Sequence, residues 1–390
     1  MAQEPIQKQP GLLELVDELE KQGASDVEIV QRMRRYLNGK AREENIPLHG
    51  TFELTPLCNL DCKMCYVHLS EKQLHESGMR LLTVEEWKNI MQQAIDAGMM
   101  SATLTGGECL TYPGFDELYL FLQERGIETV VKTNGILLTS KRVGFFRQHP
   151  PSEIQITVYG SDEDTYEQVA GHRSFAQVMS AIHRSKGTEL PLSINVTPNR
   201  YMAQDSENLI RLLSSIDIPY HINLSLFAPR PETERDGQDM DMTLDDYFKM
   251  YRISAELTGE SLVPVCAEDI PLPQRKIETI SGLPCNGGRN SFAVYWTGKL
   301  YPCPMLNKWG IDLKSTTFID AWKGINDYVR AYPFPGECIG CEFQPLCPAC
   351  IVLHEMGGIQ GRHNPVFCAR ARLLIAEGFS YRTSKRGGSL

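Results

Sequence analysis

Several things are scarce in this chain of 390 residues, and each scarcity removes a class of function. Cations are outnumbered: 39 Lys and Arg face 49 Asp and Glu, giving a formal charge of −10, and no long stripe of Lys and Arg gathers anywhere. A sequence-independent grip on a phosphate backbone needs clustered cations, so no nucleic-acid partner is expected. No apolar run approaches the roughly 20 residues of a membrane span, and Met1–Pro10 is polar, without the apolar core of a signal peptide. The expectation is no membrane association and a cytoplasmic location. A phosphate loop, an H-E-x-x-H pair and a Ser-His-Asp set are missing too. The histidines, among them His68, His75, His172, His221 and His354, are scattered without ligand spacing. There is no internal repeat and no low-complexity tract.

Cysteine is what the chain does have. Twelve would suggest disulfides in a small secreted domain; in a large chain expected to keep its thiols reduced, close spacing reads as metal binding. Three lie at Cys58, Cys62 and Cys65, seven lie between Cys285 and Cys368, and only Cys109 and Cys266 fall outside those groups. The first group is a C-x3-C-x2-C run on one loop. It supplies three ligands, so a tetrahedral zinc or a fully ligated iron–sulfur cube needs a fourth from elsewhere. If the centre is a [4Fe–4S] cluster, one iron is left free to chelate a small molecule.

Hydrophobic periodicity supplies the frame. Residues 11–44 read as two helices, with Leu12, Val16 and Leu19 on one face of the first. Ile29, Met33 and Tyr36 or Leu37 mark the second, after Gly23 and a Ser25 or Asp26 cap. Such a pair suits packing on the main domain, or docking of a partner or leader peptide. From Gly50, strand-like stretches at Thr51–Thr55, Ser101–Thr105, Glu128–Thr133, Glu153–Tyr159, Leu192–Thr197 and Tyr220–Phe227 alternate with helix-like ones. The latter are Val84–Ala97, Phe115–Arg125, Ser140–Gln148, Asp164–Ser185 and Ser206–Ser215. The alternation predicts a parallel sheet, and six units are too few for a closed eight-fold barrel. Chemistry in parallel β/α folds sits at the carboxyl ends of the strands, which is where the cysteine loop follows the first strand.

After a polar stretch and a helix at Leu244–Leu257, the C-terminal part reads as a β-hairpin, Phe292–Trp296 and Lys299–Pro302 joined at Thr297-Gly298, and a short helix at Phe318–Tyr328. Pro, Gly and Cys then dominate up to Cys350. That composition cannot build a large apolar core, so metal ligation is expected to hold it together.

The second strand ends Thr103-Leu104-Thr105-Gly106-Gly107-Glu108. Two glycines let the backbone approach a ligand closely, with a carboxylate beside it. One β/α unit after a C-x3-C-x2-C loop, this weak motif gains weight, because both sit on one rim. The combination resembles the radical S-adenosylmethionine (SAM) enzymes over about residues 50–228. The resemblance implies that Cys58, Cys62 and Cys65 hold a [4Fe–4S] cluster whose open iron is chelated by SAM. It implies a 5′-deoxyadenosyl radical that abstracts a substrate hydrogen, the protein orienting the C–H bond and excluding water. It also implies that Gly106, Gly107 and Glu108 bind the SAM amino group. Thr157 matches a position where relatives place a hydroxyl for SAM, Arg173 one that reaches the SAM carboxylate, and Asn195 is a further candidate. Against these stand ordinary strand residues and a solvated helix charge. Met64 occupies a place that is usually aromatic and packs near adenine, a slot Met can fill. Cys109 replaces a proline and reads as a packed thiol.

The C-terminal spacing is Cys285, twelve residues, Gly298, four residues, Cys303, then Cys338-x2-Cys341-x5-Cys347-x2-Cys350 and Cys368. It resembles the SPASM extension, which binds two auxiliary iron–sulfur clusters; the last x2 is usually x3. The resemblance implies one cluster on Cys285, Cys303 and Cys350, with Cys266 as a candidate fourth ligand, and another on Cys338, Cys341, Cys347 and Cys368. A zinc ribbon is the competing reading, since four thiolates serve either metal.

The fold class expected is thus α/β: a partial (β/α)6 TIM-like barrel with a small cysteine-rich C-terminal iron–sulfur domain and an N-terminal helical pair. Expected boundaries are 1–48 for the helical segment, 49–230 for the barrel, 231–283 for a bridge, 284–372 for the auxiliary domain and 373–390 for a helix end and tail. The function expected is oxidative modification or crosslinking of a ribosomally made peptide, with or without a leader, using SAM, [4Fe–4S] clusters and a reductant such as flavodoxin or ferredoxin. Pro304 follows Cys303 where sulfatase-maturing relatives carry a basic Asp, which argues against that activity. The stretch before the first strand is short for a leader-recognising domain, so a leader would use the helical pair or a separate protein. The alternatives are a small-molecule substrate, and a non-catalytic metal-stabilised scaffold or electron carrier.

Overall fold

Two helices, α1 (Leu12–Lys21) and α2 (Asp26–Glu44), lead into a single nine-stranded sheet. The computed structural model describes residues 11–223, 226–227, 230, 233, 242–258, 282–341, 347, 350–355, 368 and 371–372. The Ser25 hydroxyl caps α2 by accepting from the Glu28 N–H, and Asn45 closes it in the left-handed region. The C-terminal half of α2 packs on the C-terminal part of the chain. Arg42 donates to the Pro284 carbonyl at 2.7 Å, and Asn45 accepts from the Trp322 indole at 2.5 Å. In α1 only Leu19 is buried, so the first helix leans mainly on the second.

The strands are β1 (His49–Glu53), β2 (Ser101–Thr105), β3 (Glu128–Thr133), β4 (Glu153–Thr157), β5 (Leu192–Val196) and β6 (Tyr220–Ile222), followed by β7 (Ser291–Val294), β8 (Lys299–Tyr301) and β9 (Ile311–Asp312). Their order is β6-β5-β4-β3-β2-β1-β7-β8-β9, parallel from β6 through β7 and antiparallel for β8 and β9. The end strands β6 and β9 do not pair among the described residues, so the barrel is open there. Sequence reasoning assigns the hairpin to a separate C-terminal unit; in the structure β7 adds to the free edge of β1, in parallel. An unpaired β1 would present a row of open backbone groups, and Phe292, Ala293 and Val294, all buried, fit a strand covered on both faces.

Between the strands lie α3 (Glu71–Glu76), α4 (Val84–Asp96), α5 (Phe115–Gln123), α6 (Ser140–Gln148), α7 (Glu163–Ala170), α8 (Phe175–Lys186) and α9 (Ser206–Ile216), with α10 (Leu244–Thr258) and α11 (Phe318–Ala331) beyond β6. The apolar strand positions face the helices: Phe52 sets its ring edge-on to Trp87 of α4, centroids 6.0 Å apart. Phe52, Leu104, Val131, Ile154, Ile156, Ile194 and Val196 are all buried with that helical layer. The alternate positions, including Glu53, Thr105, Lys132, Gln155, Thr157 and Asn195, therefore line the inner face of the curved sheet.

The sequence reads one helix over Asp164–Ser185; the structure breaks it. Gly171 ends α7 in the left-handed region at φ 74°, and the carbonyls so freed are used by another loop.

Candidate metal centres

That loop carries Cys58, Cys62 and Cys65. The Asp61 and Lys63 N–H groups donate to the Ala170 and Val169 carbonyls at 2.9 and 3.0 Å, so the loop is pinned to the carboxyl end of α7. Its other side rests on the end of β2. Gly107 donates to Thr55 at 2.7 Å and Glu108 to Leu57 at 2.9 Å. A Cβ on Gly106 would stand 2.4 Å from the Thr55 carbonyl oxygen, and one on Gly107 2.4 Å from that of Leu57. Both glycines are required by this backbone-on-backbone contact, and Gly106 also has φ +151°.

Tyr159, just past β4, is hydrogen-bonded to Cys62 and lies within Coulombic reach of Cys65 and Cys58. Burial pushes the Cys58 thiol up to about 12, although the Leu60 N–H points at its sulfur from 3.4 Å and the Asn134 amide from 3.6 Å. The His68 N–H points at Cys65 Sγ from 3.3 Å. Donors aimed at sulfur favour a thiolate while burial opposes one, an environment in which a bound metal decides the charge. Met64 is buried beside the loop.

Glu108 is held in place by its neighbours. Its carboxylate is 1% exposed and accepts the Leu110 N–H at 3.0 Å, the Asn134 N–H at 2.7 Å and the Thr133 hydroxyl at 2.9 Å. Burial raises its pKa, and those donors pull the other way. The side chain thus joins the ends of β2 and β3. Thr157 and Asn195 are register partners at the ends of β4 and β5, half-buried on the inner face. The Asn195 amide donates to the Thr197 hydroxyl at 3.2 Å. Arg173 is half-exposed and paired with Asp164 at 2.7 Å and Glu167 at 2.9 Å, both of which it would have to leave to meet a ligand carboxylate. Cys109 is fully buried with its thiol on the Lys132 carbonyl at 3.2 Å, the packed thiol expected of it.

The downstream cysteines fall into two groups. Burial pushes Cys303 up to about 12, and Cys285 and Cys350 add to the shift. Cys338 is likewise pushed up to about 12 by burial, with contributions from Cys347, Cys368 and Cys341. Cys266 lies outside the described residues. Among the described residues, no three Cys, His, Asp or Glu side chains stand close enough to hold a single metal ion. Zinc, at about 2.3 Å from each sulfur, needs a tighter set than a cube whose thiolates bind separate irons.

Sequence reasoning missed three contributors. Asn134 follows β3 and bonds Asn59 at 2.7 Å, linking Glu108 to the cysteine loop; the signal was there in Thr133-Asn134-Gly135, a polar pair and turn glycine at a strand end. Tyr159 carries no signal in the sequence beyond ending a strand-like stretch. The third has no local signature: Glu53 of β1 and Arg230 form a bidentate pair at 2.7 and 2.8 Å, with both side chains buried. Arg230 also stacks on Tyr295, its guanidinium carbon 3.7 Å from the ring centroid, and donates to the Pro304 carbonyl at 3.1 Å. Its own N–H donates to the Tyr66 carbonyl at 3.3 Å. One arginine therefore touches the residues that follow Cys65 and Cys303.

With this geometry in view, residues 52–213 match the radical SAM superfamily. The chain is 24% identical over 328 residues to an AdoMet-dependent heme synthase of Methanosarcina barkeri, covering 78% of this chain and 91% of the relative. It is 26% identical over 319 residues to a PqqA peptide cyclase of Bradyrhizobium diazoefficiens, covering 77% and 80%. The fold resembles that of Streptococcus suis SuiB bound to its precursor peptide SuiA, with TM-score 0.66 and 16% identity over 90% of this chain and 86% of that one.

Proposed function

We propose that this radical SAM enzyme of the SPASM type oxidatively modifies or crosslinks a ribosomally made peptide. The observation that carries the reading is that Cys58, Cys62 and Cys65 share one loop held against the carboxyl ends of β1 and β2, with two further thiol groups, around Cys303 and Cys338, in the same chain. The likeness to a PqqA peptide cyclase supports a peptide as the molecule acted on.

A [4Fe–4S] cluster with SAM, when bound and reduced, supplies a 5′-deoxyadenosyl radical that removes a substrate hydrogen atom. The donor set fits such a cluster: three thiols around one phenol, two of them already receiving N–H groups. Gly106, Gly107 and Glu108 would meet the SAM amino group, the two glycines also holding the loop; Met64 provides an apolar wall; Thr157 and Asn195 offer polar groups from neighbouring strand ends. Arg173 serves only if it exchanges its two surface carboxylates for the SAM carboxylate. Cys285, Cys303 and Cys350, with Cys266 as candidate fourth ligand, would hold one auxiliary cluster. Cys338, Cys341, Cys347 and Cys368 would hold the other, giving an electron acceptor beside the substrate. A flavodoxin or ferredoxin as reductant and a cytoplasmic location complete the reading. Among the described residues, no helix is long and apolar enough to cross a membrane.

The likeness to AdoMet-dependent heme synthases favours a second reading, a small-molecule substrate. One experiment separates the two. The anaerobic, reconstituted protein is given SAM, dithionite and a short co-encoded peptide, and the peptide is followed by mass spectrometry. Loss of two hydrogens that requires SAM is expected; turnover indifferent to any peptide would reject the first reading.

A further inference from the structure

Lys132 is a charged group that the proposed chemistry leaves unused. It sits on β3 one residue before Thr133, on the face opposite buried Val131, and thus on the inner wall of the open barrel. Its register partner on β4 is Gln155, and Thr105 of β2 stands one step beyond the Leu104–Val131 pair. Lys132 is exposed to solvent, yet so surrounded by protein that burial lowers its pKa, as expected of a side chain on the wall of an internal opening. Among the described residues its ammonium makes no hydrogen bond or ion pair. The carboxylate it senses, that of Glu153, already accepts from the Ser193 hydroxyl, and Glu53 is held by Arg230. Among the described residues, the inner wall therefore offers one uncommitted cation among neutral hydrogen-bonding groups, just below the rim that carries Cys58 and Asn134.

We propose that Lys132 is a carboxylate-binding post inside the barrel, holding an acidic group of the substrate, an Asp or Glu side chain or a free C-terminus, below the Cys58–Cys65 loop. The inference deepens the peptide reading and rests on it for the identity of that acid. A charge-assisted bond from an ammonium suits a carboxylate and discriminates against the neutral amide of the same shape. SAM carries a carboxylate too, so the test must tell the two sources apart.

Anaerobic holoenzyme is treated briefly with acetic anhydride, and acetylation of Lys132 is measured by mass spectrometry against exposed Lys72. The treatment is repeated with SAM, with SAM plus glutarate, and with SAM plus glutaramide. Glutarate at about four times its dissociation constant should cut Lys132 labelling about fivefold in the SAM-loaded enzyme, and glutaramide should not. Protection by SAM alone, to which glutarate adds nothing, would assign the lysine to SAM and overturn the proposal. Equal protection by glutaramide, or none by either, overturns it as well. These probes need no peptide, so failure of the peptide reading would show up separately. Lys132→Met should abolish glutarate binding measured directly on the SAM-loaded enzyme, and Lys132→Arg should retain it.

Discussion

Removing the Glu53 carboxylate should destabilise the protein by an amount the structure lets one work out. Glu53 and Arg230 are 1% and 2% exposed at their side chains, and their two bonds are 2.7 and 2.8 Å long. Glu53→Gln leaves a guanidinium in the core without its counter-charge, which costs about 3–5 kcal/mol. Unfolding entropy near 2.1 cal/mol/K per residue gives roughly 0.8 kcal/mol per kelvin for a chain this long, so the melting temperature should fall by about 4–6 °C. The double replacement Glu53→Leu with Arg230→Met removes both charges. It loses the bond to Pro304 and the stacking on Tyr295, worth about 1 kcal/mol each, and so should lie within about 2 kcal/mol of the parent. Scanning calorimetry of the parent, Glu53→Leu, Arg230→Met and their combination, under anaerobic conditions, measures the coupling. A Glu53→Gln protein melting within a degree of the parent, or a double variant less stable than either single one, would refute the reasoning. Because Arg230 also grips the residues after Cys65 and Cys303, iron content should fall in Glu53→Gln along with stability.

Other outcomes follow from single contacts. Gly107→Ala drives a methyl group to 2.4 Å from the Leu57 carbonyl, so the cysteine loop should shift; iron content and 5′-deoxyadenosine formation should both drop sharply, measured against Cys58→Ala as the null. Cys303→Ala and Cys338→Ala should each lower iron content by up to about four atoms per chain while sparing SAM cleavage without substrate, and equal loss of cleavage would place them in the SAM centre. Tyr112 donates to the Leu82 carbonyl at 2.8 Å, and burial, with Glu85, Glu86 and Glu117 nearby, pushes its phenol up to about 12. A folded pKa above the usual 10 means its stabilisation is complete below pH 10 and is lost as pH climbs towards 12. Tyr112→Phe should therefore be less stable than the parent by about 1 kcal/mol at pH 8, and urea unfolding at rising pH should show the gap closing.

What was legible in the sequence was whatever is written locally. Period-2 and period-3.6 patterns marked β1 to β6 and most of their helices, because burial on a strand or helix depends on neighbours a few residues away. Thiols three and four residues apart announced the loop at Cys58, and a glycine pair announced a close backbone approach. Gly171 gives no stop signal locally, since the helix end it makes is completed by the N–H groups of residues 61 and 63 on the carbonyls of 170 and 169. Only the tertiary structure decided that β7 completes the edge of β1, that Glu108 ties the end of β2 to that of β3, and that Glu53 and Arg230 meet across 177 positions. Charges and strand edges find partners through space, at separations over which the chain keeps no period. The sequence alone therefore determined the kind of chemistry the thiol loop can carry, and the fold determined which buried groups hold that loop in place.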